Sequence, residues 1–314
     1  MIALEFQGVT KRYGRRTALN GLDLSVPVGS IFGLVGSNGA GKTTAMALAV
    51  GLLRLDSGAI DVLSQGAFHP GRQGGRVTLL PQDSRLPLHS RVGELLNYYG
   101  RLQGLTGKRL KRSVDEVLDW THLQDRRESP VRTLSHGMMR RVTIAQAFLG
   151  EPDLILLDEP LSGLDPREQV RIREMLQLRR GHQTLLISSH NLHELEALCD
   201  QVAFVELGRR IRQDSLDAVI RRRHSLTVVL DGPLTLPGVA LTEAIPGVQW
   251  TYDSTRSELT LVFPDEWTPA RVNGTILPLL IDSECGILEV RLGSGLEREY
   301  LSATEPPKIP TGVQ

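Results

Sequence analysis

The residues that most constrain the fold are eight consecutive positions near the N-terminus, Gly36 to Thr43. They match the pattern GxxxxGK[ST] and stand between a strand-like apolar run, Ile31 to Val35, and a helical pattern from Thr44 to Leu53. Glycines let such a loop turn tightly so that its N–H groups point at phosphate oxygens, and the following helix adds the positive end of its dipole. The segment therefore predicts a phosphate-binding loop, in which Lys42 neutralises phosphate charge and Thr43 offers a hydroxyl to Mg²⁺.

A second motif consists of two acidic residues, Asp158 and Glu159, directly after the apolar run Leu154 to Leu157. In parallel sheets, a residue at the carboxyl end of a buried strand meets the ligand at the edge of the sheet. We expect Asp158 to hold Mg²⁺ through a water molecule. Glu159 is then placed to polarise the water that attacks the terminal phosphate, since phosphoryl transfer needs mainly positioning and charge compensation.

Apolar patterns elsewhere indicate an α/β core with two additions. Thr184 to Ile187 is another run typical of a strand buried on both faces of a parallel sheet. Helical spacing of apolar residues between about 92 and 123 indicates a helical subdomain, which we place at about residues 85–150.

The character of the chain changes near residue 218. Residues 219–314 carry 8 Lys or Arg against 12 Asp or Glu, and they contain four strand-like runs and a helical pattern at about 268–283. We expect a domain boundary at this point, followed by a small α+β domain with a loose, proline-containing C-terminal end.

Composition and charge exclude several classes of protein. The 314 residues include 36 Lys or Arg and 36 Asp or Glu, so no net charge draws the chain to nucleic acid or anionic lipid. Two cysteines without CxxC spacing favour a reducing cytosol over a disulfide framework or a structural zinc site. No apolar run approaches the length of about 18 residues that a membrane-spanning helix needs, and no signal peptide is evident.

A third segment makes the assignment more specific. Leu134-Ser135-His136-Gly137-Met138, followed by a predicted helix from Met138 to Leu149, resembles the LSGGQ signature found in the ATP-binding subunits of ABC transporters. Ordinary P-loop GTPases and kinases lack this segment. The resemblance covers residues 1 to about 215, and further similarities follow in the order of that family at Tyr13, Gln82, Asp165 and His190.

This resemblance implies a fold and a mode of action. The fold is an α/β P-loop ABC-type ATPase over residues 1–218, with a parallel-sheet core, an antiparallel β subdomain and the helical subdomain, followed by a small α+β accessory domain at residues 219–314. In the family, two subunits form a sandwich, and each ATP lies between the phosphate loop of one subunit and the signature of the other. ATP and Mg²⁺ are the implied ligands, and a monomer is expected to be inactive.

The resemblance also assigns roles to individual residues. The implied nucleotide-binding residues are Tyr13, which stacks on adenine, and Gly36, Ser37, Asn38, Gly39, Ala40, Gly41, Lys42, Thr43, Thr44 and Gln82. The metal residues are Thr43, Gln82 and Asp158, and Gln82 also links the metal site to the membrane partner. The catalytic residues are Glu159 and His190, which contacts the γ phosphate, and Asp165 communicates between the two sites. The signature residues Leu134, Ser135, His136, Gly137 and Met138 act on the nucleotide of the other subunit.

The signature differs from the commonest form at two positions, where His136 replaces Gly and Met138 replaces Gln. Methionine cannot complete a capping box with Ser135, so binding across the dimer rests on Ser135 and on backbone N–H groups. A signature of this LSxGM form resembles the signatures of exporter subunits. The segment Ser294 to Leu301 also resembles the LE-x-x-F-L sequence that closes many ABC-2-type exporter subunits.

These patterns favour the ATP-hydrolysing motor of a membrane exporter, at the cytoplasmic face of the cell membrane. Its expected partners are an integral membrane permease and a second copy of the chain or a related ATPase subunit, without nucleic acid. The alternative is a soluble ABC-type ATPase that acts on nucleic acid or ribosomes, although such proteins usually contain tandem ATPase units, long coiled coils or zinc modules. Two other interpretations are disfavoured: an ATP sensor, because Glu159 and His190 are both present, and a zinc site at His190 and His193, because no third ligand is evident.

Overall fold

The chain divides into two units, Met1–Asp214 and Ser215–Gln314, which have separate hydrophobic cores. The computed structural model describes residues 1–191, 194–195, 198–216, 225–264 and 266–292. The boundary that we predict near residue 218 and the proline-containing C-terminal end both lie outside these ranges.

Strands of the region up to Ser215 form a three-stranded sheet, in the order β2-β1-β4, and a six-stranded sheet, in the order β5-β6-β7-β3-β8-β9. These strands are β1 (Ile2–Tyr13), β2 (Arg16–Pro27), β3 (Ile31–Val35), β4 (Ser57–Val62), β5 (Val77–Leu80), β6 (Leu154–Asp158), β7 (Thr184–Ser189), β8 (Gln201–Glu206) and β9 (Arg209–Ser215).

The six-stranded sheet has the parallel core that the sequence predicts. Every residue of β3, β6 and β7 is buried, as expected of strands covered on both faces. β7 pairs in parallel with β3 on one side and with β6 on the other. The segments that follow these three strands therefore leave the sheet at the same edge.

The three-stranded sheet is antiparallel, because β1 pairs antiparallel with both β2 and β4. Its apolar residues alternate with exposed ones, and Leu4, Phe6 and Leu24 lie in the same core cluster as Phe32 of β3 and Met46. This arrangement confirms the predicted antiparallel β subdomain beside the parallel core.

The helices of this unit are α1 (Lys42–Ala49), α2 (Pro70–Gln73), α3 (Val92–Leu102), α4 (Gly107–Trp120), α5 (His136–Ala147) and α6 (Pro166–Gln177). Helix α1 ends four residues before the predicted Leu53, because the chain turns at Gly51, whose φ is 70°. Helix α5 begins two residues before the predicted Met138, because the Ser135 hydroxyl accepts a hydrogen bond from the Met138 N–H. Helices α3, α4 and α5 form the predicted helical subdomain.

The second unit contains an antiparallel four-stranded sheet in the order β11-β12-β10-β13. Its elements are β10 (Ser225–Leu230), α7 (Gly238–Ala244), β11 (Gln249–Asp253), β12 (Glu258–Val262), α8 (Pro269–Asp282) and β13 (Ile287–Leu292). Alternate residues of β10 and β12 join Leu241 of α7 and Ile276 of α8 in one core. Across the described parts of both units, the helices include none with the length and apolar character needed to cross a lipid bilayer.

Candidate nucleotide-binding site

Three motifs of the sequence meet at one edge of the parallel sheet. The phosphate loop begins at Gly36 after β3, Glu159 follows β6, and His190 follows β7. Since β7 lies between β3 and β6, these segments are neighbours in space. This carboxyl edge is where open α/β sheets bind their ligands.

The loop after β3 has the backbone conformation of a phosphate-binding turn. Gly39 and Gly41 have φ angles of 90° and 109°, a region that glycine adopts without steric cost. A Cβ atom on Gly41 would also lie only 2.6 Å from Leu19 Cδ2. Gly41 is the N-cap of α1 and has no side chain, so the first N–H groups of the helix are left for an anion.

Lys42 lies against its own loop, with a side chain that is only 6% exposed. Its ammonium group donates hydrogen bonds to the carbonyl oxygens of Gly36 at 2.7 Å and Ser37 at 3.1 Å. The same ammonium lies 3.5 Å from Glu159 Oε1. The positive charge of the loop is therefore fixed between the loop backbone and the acidic residue that follows β6.

Oxygen atoms suited to a magnesium ion lie beside the loop. The Thr43 hydroxyl donates to Asp158 Oδ2 at 2.7 Å, and Asp158 is buried. Carboxylate, hydroxyl and amide oxygens are the ligands that this hard cation takes. The donor set of Thr43, Asp158 and the nearby Gln82 therefore fits Mg²⁺.

Glu159 has an unusual backbone and a fully engaged carboxylate. Its φ is 47°, which costs a residue with a Cβ about 1–3 kcal/mol. The Glu159 N–H donates to Ser188 Oγ at 2.9 Å, and the Ser188 hydroxyl in turn contacts Asp158. One carboxylate oxygen faces Lys42, and the other lies 2.9 Å from His190 Nδ1. The structure thus joins both acidic residues, the lysine and the histidine in one network.

A cavity of about 640 Å³ opens above the loop, within the range of about 300–1,000 Å³ typical of small-molecule sites. The predicted residues that line it are Tyr13, Asn38, Gly39, Gly41, Lys42, Thr43, Thr44, Gln82 and Glu159. Three other predicted loop residues lie in the same loop without lining the cavity. The Gly36 carbonyl oxygen accepts a hydrogen bond from Lys42, the Ser37 hydroxyl donates one to the Glu206 carboxylate, and Ala40 is buried. Tyr13 is 47% exposed, so its ring is accessible to a flat ligand.

Sequence reasoning missed three residues near this cavity. Arg16 lines it beside Gly39, Ser188 binds the backbone of Glu159, and Arg140 binds the carbonyl oxygens of Glu159 and Pro160. Burial lowers the pKa of the Arg140 guanidinium, and the charge of Asp158 opposes this effect. For Arg140 and Ser188, the sequence offered only an arginine in the helix after the signature and a serine shortly before His190.

The signature segment occupies a different position. Ser135 is the N-cap of α5, and its neighbour His136 is exposed, whereas Leu134 is buried and Met138 partly buried. Among the residues that the structure describes, none of the five signature residues lines the loop cavity. Within one chain, Ser135 and Lys42 therefore face separate spaces.

Close packing links the signature to Asp165. A Cβ on Gly137 would lie 2.6 Å from Glu168 Cγ, so α5 and α6 pack closely here and a larger residue would require the Glu168 side chain to shift. Asp165 caps α6 by accepting hydrogen bonds from the N–H groups of Arg167 and Glu168. Asp165 is exposed at the surface of the chain.

Comparisons with known proteins agree with this geometry. A family model described as ABC transporter matches residues 19–162. The "Nod factor export ATP-binding protein I" of Ralstonia nicotianae is 36% identical over 230 residues, which are 72% of this chain and 71% of that protein. The protein of the same name from Burkholderia orbicola is 36% identical over 229 residues, covering 72% of this chain and 75% of that protein.

Solved structures show the same fold. An ATP-binding subunit of an ABC transporter superposes with a TM-score of 0.61 at 27% identity, covering 70% of this chain and 92% of that one. A component of an ABC transporter complex from Clostridium perfringens superposes with a TM-score of 0.63 at 26% identity, covering 70% and 90%. The chain therefore belongs to the ABC transporter family, as an ATP-binding subunit with the ATPase fold.

Proposed function

We propose that the protein is the motor of a membrane exporter, and that it hydrolyses ATP as a sandwich dimer bound to a separate integral membrane permease. The observation that carries this proposal is the division of the site within one chain. Lys42, Thr43 and Glu159 line one cavity, whereas Ser135 caps a helix outside it. A second chain, or a related ATPase subunit, would bring its own Ser135 to this cavity.

In this proposal each residue at the cavity has a distinct task. Lys42 and the N–H groups of the loop neutralise phosphate charge, Tyr13 stacks on adenine, and Glu159 polarises the attacking water. His190, 2.9 Å from the Glu159 carboxylate, contacts the γ phosphate. Mg²⁺, when bound, supplies positive charge to the phosphate oxygens. Thr43, Asp158 and Gln82 would hold it.

The direction of transport is inferred from two sources. The relatives at about 36% identity are named as export ATP-binding proteins. The LSxGM form of the signature, with Met138, also favours an exporter. The similar C-terminal segment Ser294 to Leu301 lies outside the described residues. We place the protein at the cytoplasmic face of the cell membrane, with residues 219–314 as an accessory domain.

The sandwich predicts that a block at Ser135 acts on the other subunit. We expect Ser135→Arg to lower ATP hydrolysis by at least about 100-fold, because the long side chain fills the γ phosphate space of the partner's site. ATP binding by the monomer stays within about twofold, since Ser135 does not line the cavity of its own chain. Ser135→Thr, which keeps the capping hydroxyl, is the matched control.

Mixing two variant chains tests the role of Ser135 in trans more directly. A heterodimer of Ser135→Arg and Lys42→Ala chains has one composite site with both native residues and one with both changes. Hydrolysis should return to at most roughly a quarter of the wild-type rate, because random pairing makes about half of the dimers mixed and each mixed dimer has one intact site out of two. Normal hydrolysis by Ser135→Arg alone would rule out the role in trans.

A second pocket supports the permease partner. It has a volume of about 450 Å³ and is lined by residues 82–86, by Leu88 and by His136, Met139 and Arg140, among others. Leu88 is 53% exposed at this pocket. An accessible pocket that combines the apolar side chains of Leu86, Leu88 and Met139 with polar groups, and that adjoins both Gln82 and Glu159, is suited to a segment of the permease.

This docking proposal predicts the effect of a charge at Leu88. We expect Leu88→Arg to reduce recovery of the permease, identified by mass spectrometry after detergent extraction, by about tenfold or more, since a buried unpaired charge costs several kcal/mol at an interface. ATP hydrolysis by the isolated protein should stay within about twofold. Leu102→Arg, at an exposed leucine away from the pocket, is the control. Equal recovery with both variants would place the permease elsewhere.

A further inference from the structure

The Arg140 side chain joins three segments of the first unit. It projects from α5, the helix that Ser135 caps, and binds backbone carbonyl oxygens of two other segments. Nη2 donates to Glu159 O at 2.6 Å, Nε donates to Pro160 O at 2.8 Å, and Nη1 donates to Gln82 O at 3.4 Å. One guanidinium therefore connects the signature helix to the residues after β6 and after β5.

The backbone that Arg140 binds is held in an unfavourable conformation. Glu159 has a φ of 47° and precedes Pro160, whereas a residue before proline favours an extended backbone with negative φ. Such a conformation persists only where its surroundings enforce it. At Glu159, Ser188 binds the N–H, and Arg140 binds the carbonyl oxygen. The same carbonyl also accepts a longer hydrogen bond, of 3.3 Å, from the Ser162 N–H in the turn that follows β6. Arg140 is the contact that comes from the signature helix.

The chemistry of this contact requires an arginine. Nε and Nη2 form a planar fork whose two N–H groups bind the carbonyls of consecutive residues, Glu159 and Pro160. These hydrogen bonds are charge-assisted and therefore strong. A lysine ammonium would keep the charge but could not present two fixed donors to both carbonyls.

We propose that Arg140 is a positioning residue for hydrolysis, which holds the Glu159 backbone and couples it to the signature helix and to the Gln82 segment. This inference rests on the proposed catalytic role of Glu159. Ser135 would bind the ATP of the other subunit, and Arg140 on the same helix sets the carboxylate of its own subunit. The hydrogen bonds of Arg140 thereby connect the helix that would face one nucleotide to the carboxylate that would act on the other.

Steady-state kinetics and ATP binding of the full-length protein test this role. We expect Arg140→Ala to lower kcat by about 30- to 100-fold and Arg140→Lys by about tenfold, with KM and the Kd of ATP within about twofold, because only the placement of the carboxylate changes. Guanidinium chloride at tens of millimolar should raise the kcat of Arg140→Ala several-fold. Arg101→Ala, at an exposed arginine of α3, should match the wild type with and without guanidinium.

Several results would overturn the inference. These are an unchanged kcat in both Arg140 variants, a loss that appears in the Kd of ATP rather than in kcat, or a loss that guanidinium does not relieve. If Arg140→Ala does not fold, Arg140→Lys carries the test through its kcat-to-KM split. A Glu159→Gln variant that still hydrolyses ATP would instead refute the proposed catalytic role, so the two failures are distinguishable.

Discussion

Glu159→Gln will lower ATP hydrolysis by at least about 100-fold while the protein continues to bind ATP. Glutamine keeps the shape of the side chain but removes the charge that faces Lys42 and that, in the proposed mechanism, polarises the attacking water. In the proposed sandwich, ATP that is not hydrolysed stays between two chains, so size-exclusion chromatography with ATP should show a dimer that is absent without nucleotide. Phosphate release measures the loss of turnover.

The control for this change is Glu174→Gln, which makes the same substitution at an exposed position of α6. It should hydrolyse ATP at the wild-type rate and show no trapped dimer. Turnover of Glu159→Gln near the wild-type rate would eliminate Glu159 as the catalytic carboxylate. Loss of ATP binding in this variant would mean that the carboxylate supports the loop rather than the reaction.

Lys42→Ala should weaken ATP binding by about 100-fold or more, because in the proposed site it removes a charge-assisted contact to phosphate from a buried position. The ammonium is already fixed near the loop carbonyls of Gly36 and Ser37, so little ordering is needed when the nucleotide arrives. Calorimetric titration with ATP measures the change. Lys108→Ala, at an exposed lysine of α4, should bind ATP normally. An unchanged Kd in Lys42→Ala would refute the site assignment.

The fold could be predicted from the sequence where it depends on a local pattern of apolar residues. The parallel core follows from runs such as Leu154 to Leu157, since a strand with no polar face must be covered on both sides. Helix ends were less predictable, because they depend on single residues whose effect needs the backbone. Gly51 stops α1 through its positive φ, and Ser135 starts α5 through a hydrogen bond to Met138.

The residues of the candidate site also fall into those that the sequence could predict and those that it could not. The phosphate loop and the acidic pair could be recognised because their residues are adjacent in sequence and each acts at a known spacing. Ser188 and Arg140 could not, because both act on backbone groups of Glu159, which carry no sequence signal. Arg140 reaches carbonyls of two other segments, and only the packing of α5 against the sheet reveals those acceptors.

The left-handed backbone at Glu159 bears on which residue suits this position. Glycine is the residue that this conformation suits best, but replacing Glu159 with glycine would relieve the backbone strain and at the same time remove the carboxylate that faces the buried Lys42 ammonium. Such a protein would retain its loop, its lysine and its sheet, but it would lack the carboxylate. The backbone at position 159 therefore favours glycine, whereas the contacts of the carboxylate with Lys42 and His190 favour glutamate, and the residue found there follows the side-chain contacts rather than the backbone.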